Sequence, residues 1–165
     1  DKNRSRDMLA YLSDILRYSL ESKQSSLVKI EQELEIVDEY LELCKIQFEN
    51  RLVISKAIVP ESLTLNIPCM LIQMLVENAI KHGISECLEP GKLCIDISIH
   101  EGSLKILISN TGTLKEKEQA NSTGIGLQNI RERLALIYNS DAEFVIEQVD
   151  GEVQAKVSIN EIEQT

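Results

Sequence analysis

No run of this 165-residue chain approaches the roughly 18 uninterrupted apolar residues of a membrane span. Its first residues, DKNRSRDMLAYLSD, lack the apolar core and small-residue cleavage site of a secretory signal. We therefore expect this piece to be soluble and cytoplasmic. Basic charge is in deficit, with 17 Lys and Arg against 27 Asp and Glu for a net charge of −10. Duplex nucleic acid is bound through a cationic face, so no nucleic-acid partner is expected. An anionic ligand would have to be held locally, by a helix N-terminus, a few Lys or Arg, or a metal ion. Cys44, Cys69, Cys87 and Cys94 form no CxxC pair and no cluster with histidine. That spacing argues against a disulfide or metal framework and fits a reducing cytosol. Internal repeats and low-complexity tracts are missing as well. What is present, 43% hydrophobic and 27% charged residues, suffices for one cored domain with a short attachment.

Residues 1–50 contain neither Gly nor Pro. Leu9, Leu12, Ile15, Leu16 and Leu20 recur at helical spacing, and a polar break at 21–26 precedes Ile30, Leu34, Val37, Leu41, Cys44 and Phe48, which step by three or four. The pattern predicts a helical hairpin, with Glu31, Glu33, Glu35, Asp38, Glu39 and Glu42 on its solvated faces. After Asn50 the character changes. LVISKAIV (52–59) alternates and is rich in β-branched residues, so it reads as a strand ending at Pro60. Pro68 is placed to open a helix that Ile72, Leu75, Val76, Ala79 and Ile80 carry to Gly83. KLCIDISIH (92–100) and SLKILISN (103–110) flank Glu101-Gly102 as a hairpin, residues 113–123 form a polar loop, and 124–138 run from a glycine-rich turn into a helix. A last hairpin turns at Asp150-Gly151. This order predicts an α+β fold, a two-layer sandwich of mixed sheet covered by helices on one face and preceded by a helical hairpin. The division falls at 1–50 and 51–165.

Three elements carry possible chemistry. On the helix at 68–83, Glu77, Asn78 and Lys81 fall opposite the apolar arc. An amide oxygen suits Mg²⁺, an ammonium suits phosphate, and a carboxylate can orient metal-bound water. An exposed Glu77–Lys81 ion pair would explain the same residues. In STGIGL the paired glycines Gly124 and Gly126 let backbone approach a phosphate at a helix start. A plain flexible loop is the alternative there. The run follows no strand and has no third glycine, so it is not a dinucleotide fingerprint, and the chain has no Gly-Lys-Ser/Thr phosphate loop. In ISNTG, a strand ends in Asn110, Thr111 and Gly112, where short polar groups suit a flat heterocycle or simply an Asx turn.

Taken in order, these elements resemble the GHKL (Bergerat-fold) family of ATP-binding domains. Over nearly the whole length the chain resembles the cytosolic end of LytS-type sensor histidine kinases. LSDILRYSL (12–20), ELEIVDEYLELCKIQFENRL (33–52), LIQMLVENAIKHGI (71–84), ISNTG (108–112) and TGIGLQNIRERLALIY (123–138) carry the likeness. The resemblance implies ATP and Mg²⁺ as ligands, with Asn78 as the Mg²⁺-binding asparagine and Lys81 and His82 near phosphates and sugar. Glu77 is implied to be a catalytic or water-orienting partner of Asn78. Asn110 stands where the family commonly has an aspartate that accepts from the adenine amine, with Gly112 shaping the pocket; an amide oxygen still accepts, without the charge. Thr123, Gly124, Ile125, Gly126 and Leu127 match the second glycine box, and 113–123 the ATP lid. Met74 occupies the position of the general-base glutamate of hydrolytic relatives, and a thioether takes no proton from water.

The implied function is the ATP-binding part of a two-component histidine kinase, a transferase in signal transduction. It presents the γ-phosphoryl to a histidine, from which a response-regulator receiver domain takes it. The parent would be a homodimeric inner-membrane sensor. Residues 1–50 contain no histidine; His82 lies on the nucleotide helix, His100 ends a strand, and the acceptor is expected upstream of this piece. The alternatives are a non-catalytic nucleotide-sensing or dimerisation module, and a hydrolytic GHKL ATPase or anti-sigma-type serine kinase.

Overall fold

The computed structural model describes residues 27–86, 89–114 and 125–160. The helix expected over 9–20 and all but the first two residues of the 113–123 loop lie outside the described residues. The chain begins with a short strand β1 (Leu27–Lys29) that runs straight into helix α1 (Ile30–Phe48). The backbone N–H of Lys29 donates to Gln32 Oε1 at 3.1 Å, closing the helix start from three residues on. Ile30, Leu34, Val37, Leu41 and Cys44 are buried, as their spacing demands. Glu33 differs from its expected place: it is buried completely. The apolar arc of α1 passes through positions 30, 33, 34 and 37, so Glu33 shares the inward face despite its charge.

Strand β2 (Leu52–Ile58) and a one-turn segment at Pro60–Ser62 lead to β3 (Asn66–Pro68), which pairs antiparallel with β1, Leu27 opposite Pro68. This two-stranded ribbon had no signal in the sequence, because three residues are too few to show a period. It also moves a helix boundary. Pro68 ends β3 instead of opening the helix, the chain turns through Met70 in a left-handed conformation (φ 64°), and helix α2 runs Leu71–His82. Proline's fixed φ near −65° suits an extended strand end as well as a helix's first turn, and the pairing with Leu27 decides between them.

Strands β4 (Gly91–His100) and β5 (Ser103–Thr111), helix α3 (Ile125–Tyr138), and strands β6 (Ala142–Val149) and β7 (Glu152–Ile159) complete the fold. The two hairpin turns have positive φ at both central residues, Glu101 (50°) with Gly102 (76°) and Asp150 (50°) with Gly151 (82°). Such turns match the twist of the flanking strands. The five-stranded sheet has the order β2-β4-β5-β7-β6, parallel between β2 and β4 and antiparallel elsewhere. One face is apolar: Leu93, Ile95, Ile97, Leu104, Ile106, Ile108, Val157 and Ile159 are all buried. They join a single core with Leu34, Val37 and Leu41 of α1, Leu75, Val76 and Ile80 of α2, and Leu127, Ile130 and Leu134 of α3. The fold is thus the mixed sheet with helices on one face. Residues 30–48 pack in the same core as the sheet, so the core is continuous across residue 50. The other face is wetter, and there Lys156 Nζ pairs with Glu147 Oε1 at 2.5 Å. Among the described residues, no helix is long and apolar enough to cross a membrane.

Candidate functional site

Helix α2 is the axis on which the sequence-predicted residues meet. Its buried arc (Leu71, Ile72, Leu75, Val76, Ala79, Ile80) leaves Glu77, Asn78 and His82 half-buried and Lys81 exposed. Glu77 is held in place, since Gln73 Nε2 donates to its Oε1 at 3.0 Å, one helical turn away. The carboxylate also faces α1. Burial pushes the Cys44 thiol up to about 11; a hydrogen bond with Tyr40 pulls it down, and the charge of Glu77 raises it further. Cys44 therefore stays protonated and inert at neutral pH.

The C-terminal end of α2 meets the end of β5. Gly83 caps the helix, its N–H donating to Ala79 O at 3.0 Å, and the Asn110 amide packs closely against it. A Cβ on Gly83 would stand 1.9 Å from Asn110 Nδ2. Gly112 closes over the same spot, its φ of +151° open only to glycine without strain, and a Cβ there would come within 3.1 Å of Gly83 Cα. Asn110 is 4% exposed. Its Nδ2 donates to Thr111 O at 3.0 Å, which leaves the carbonyl oxygen as the group the amide offers to an incoming donor. Beyond it, Gln148 of β6 ties down the start of the loop. Its Nε2 donates to Gly112 O at 3.0 Å and its Oε1 accepts from Leu114 N at 2.6 Å.

The start of α3 meets the middle of α2. Among the described residues, a Cβ on Gly126 would touch only Met74, at an ordinary 3.6 Å from its terminal methyl. The thioether thus packs beside the glycine-rich helix start and brings no proton acceptor there. Leu127 is buried and anchors α3 in the core. Thr123 and Gly124 lie outside the described residues, and Ile125 is described only as the first residue of α3. His100 is exposed at the end of β4, 3.9 Å from Glu101. Gly83, Glu33, Gln73 and Gln148 were missed from sequence. Of these, Glu33 alone had a usable signal, a carboxylate on the apolar stripe of a helix.

Residues 1–52 match a protein-family model described as histidine kinase. The chain is 29% identical over 163 residues to the sensor protein LytS of Oceanobacillus iheyensis, covering 91% of this chain and 28% of that protein. It is 32% identical over 142 residues to the sensor histidine kinase YpdA of Escherichia coli, covering 81% and 25%. The chain thus spans little more than a quarter of the length of these relatives. Among solved structures, the histidine kinase domain of a blue-light activated histidine kinase from Erythrobacter litoralis superposes with a TM-score of 0.64 at 15% identity, covering 87% of this chain and 70% of that one. Histidine kinase ThkA, in complex with the response regulator protein TrrA, superposes with a TM-score of 0.62 at 19% identity, covering 96% and 48%. At such identities the likeness is one of fold, and the fold shared is that of histidine kinase catalytic domains.

Proposed function

We propose, from the premise that this chain is a homologue of the LytS-type sensor histidine kinases, that it is the ATP-binding part of a two-component histidine kinase, with Mg²⁺-ATP as its ligand. One observation carries the reading. The strand-end Asn110 and Gly112 lie against one end of α2, and the Gly126 helix start lies beside its Met74, so both other motifs meet the helix that bears Asn78. The residues fit the ligand chemically. Asn78 would hold Mg²⁺ through its amide oxygen, Lys81 and the backbone N–H groups at the start of α3 would neutralise phosphate charge, and His82 would lie toward the sugar. Gly126 leaves room on its side of the cradle, since among the described residues only the Met74 methyl group approaches its missing Cβ.

The Asn110 carbonyl would accept from the adenine amine. Glu77, steadied by Gln73, would orient water about the metal, and Thr123, Gly124, Ile125 and Leu127 would complete the glycine-rich start. In such a site the protein contributes placement and electrostatic stabilisation of the transferring phosphoryl group. Met74 in place of a base disfavours transfer to water and favours transfer to a histidine. That histidine would pass the group to an aspartate of a response-regulator receiver domain, a partner supported by the ThkA–TrrA pairing. The parent protein would act as a homodimeric sensor with this part on the cytosolic side of the membrane.

Thermal melting tests the reading. At one hundred times Kd, Mg-ATP should stabilise the chain by about 2.7 kcal/mol, and chelating the metal should remove most of that gain. A melting curve unmoved by millimolar Mg-ATP would refute it and favour a non-catalytic dimerisation module. Sustained phosphate release by the chain alone would favour the hydrolytic alternative.

A further inference from the structure

The nucleotide reading makes no use of Glu33, yet this carboxylate is 0% exposed, a costly place for a charge unless hydrogen bonds hold it. Those bonds come from a different helix. The N–H of Met70 donates to Glu33 Oε1, and the N–H of Gln73 donates to Oε2 at 3.4 Å. Helix α2 needs such a partner. Its cap residue Met70 makes no side-chain cap hydrogen bond, and there is no acidic residue in its first turn. Gln73 is the third residue of α2, whose N–H a capping Ser or Asp would ordinarily satisfy. Glu33 takes over that role from α1, setting its two carboxyl oxygens at the positive end of the α2 dipole. The contacts continue inward. Gln73 is itself 0% exposed and donates through Nε2 to Glu77 Oε1 at 3.0 Å, beside Asn78.

We propose that Glu33 is a positioning residue for the nucleotide site. Capping α2 from outside, it fixes where that helix begins, and through Gln73 it fixes the Glu77 carboxylate and the Asn78 next to it. Its effect on ligand rests on the nucleotide reading above, whereas its effect on α2 does not. Glu33 lies on the helix that follows β1, and β1 pairs with the strand ending two residues before Met70. The β1–α1 unit is thus joined to the start of α2 by two separate contacts.

The test uses the whole chain carrying Glu33→Gln, Glu33→Ala or Gln73→Met, with residue-resolved amide exchange and Mg-ATP affinity as readouts. Glu33→Gln keeps the shape but turns an amide NH₂ toward one of the two donors. It should speed exchange over residues 71–78 on the order of tenfold, leave β5 and α3 amides unchanged, and weaken Mg-ATP several-fold. Gln73→Met keeps the backbone cap, so exchange at 71–73 should stay as in the parent while Mg-ATP still weakens. If Glu33→Ala does not fold, the other two variants decide. Exchange that rises equally in α2, α3 and β5, or does not rise at all, overturns the proposal, because a residue that merely stabilises the fold acts everywhere alike. Local exchange with unchanged Mg-ATP affinity overturns it too. Should the parent chain bind no Mg-ATP, the nucleotide reading falls by itself, and the local exchange pattern decides whether Glu33 positions α2.

Discussion

Replacing Gly83 with alanine should damage fold and ligand binding together. The glycine's φ is −106°, outside the left-handed region that favours glycine, so steric contact dominates the effect. The new Cβ would lie 1.9 Å from Asn110 Nδ2, 2.9 Å from its Cγ and 2.6 Å from Ala79 O, all inside the 3.0 Å that real Cβ contacts essentially never cross. Asn110 is buried, and it cannot retreat without giving up its 3.0 Å bond to Thr111 O. Overpacking of this kind costs about 1–3 kcal/mol, and the broken hydrogen bond adds about 1 kcal/mol. The sum, roughly 2–4 kcal/mol, should lower Tm by roughly 5–15 °C in a chain of this size. Calorimetry or urea unfolding reads it directly. The double variant Gly83→Ala/Asn110→Ala removes one of the two obstacles and leaves Ala79 O, so its penalty should fall short of the sum of the singles by about 1 kcal/mol or more. A Tm drop under about 2 °C, or additive singles, would refute the packing argument.

Asn78→Asp keeps an oxygen ligand but adds charge beside the phosphates, so Mg-ATP affinity measured by calorimetry should fall by roughly tenfold while the melting point holds; unchanged affinity would remove Asn78 from the metal site. Gly126→Ala should separate stability from binding, because among the described residues its Cβ meets only the Met74 methyl and alanine gains about 0.5–1 kcal/mol of helix propensity. Tm should rise and Mg-ATP affinity should drop, and an affinity equal to the parent's would exclude that glycine from the phosphate cradle. Cys44 supplies a pH test. Burial lifts its pKa from 9.0 to about 11, so the folded state holds the thiol proton more tightly than the unfolded chain does. Its contribution is complete below pH 9 and is lost as pH rises toward 11. The stability gap between the parent and Cys44→Ala, from urea unfolding, should narrow across that window, and a constant gap would count against a buried thiol.

Much of the fold is legible because local rules are strict where they apply. Strand alternation, the Glu101-Gly102 and Asp150-Gly151 turns, and the three-and-four spacing of α1 and α2 depend on residues close in sequence, and the structure places them as read but for the start of α2 and the burial of Glu33. The candidate site was partly legible for a similar reason. Asn78 and Lys81 share a helix face by spacing alone, and the glycines of ISNTG and STGIGL show themselves by their missing side chains.

The remaining features depend on a partner far along the chain. Glu33 looks solvated when each charge on α1 is counted as a surface residue, and only the N–H groups of Met70 and Gln73, 37 and 40 positions away, make its burial favourable. Pro68 satisfies the rule for a helix start and the rule for a strand end equally, until Leu27 arrives to pair with it. Gly83 looks like an ordinary helix stop until Asn110 packs on it. The sequence by itself thus determined the elements, the faces they bury and the residue types that can hold a phosphate. Tertiary structure alone decided which carboxylate caps the helix bearing Asn78 and which glycine seats Asn110, because hydrogen bonding and steric fit between distant segments leave no period in the chain.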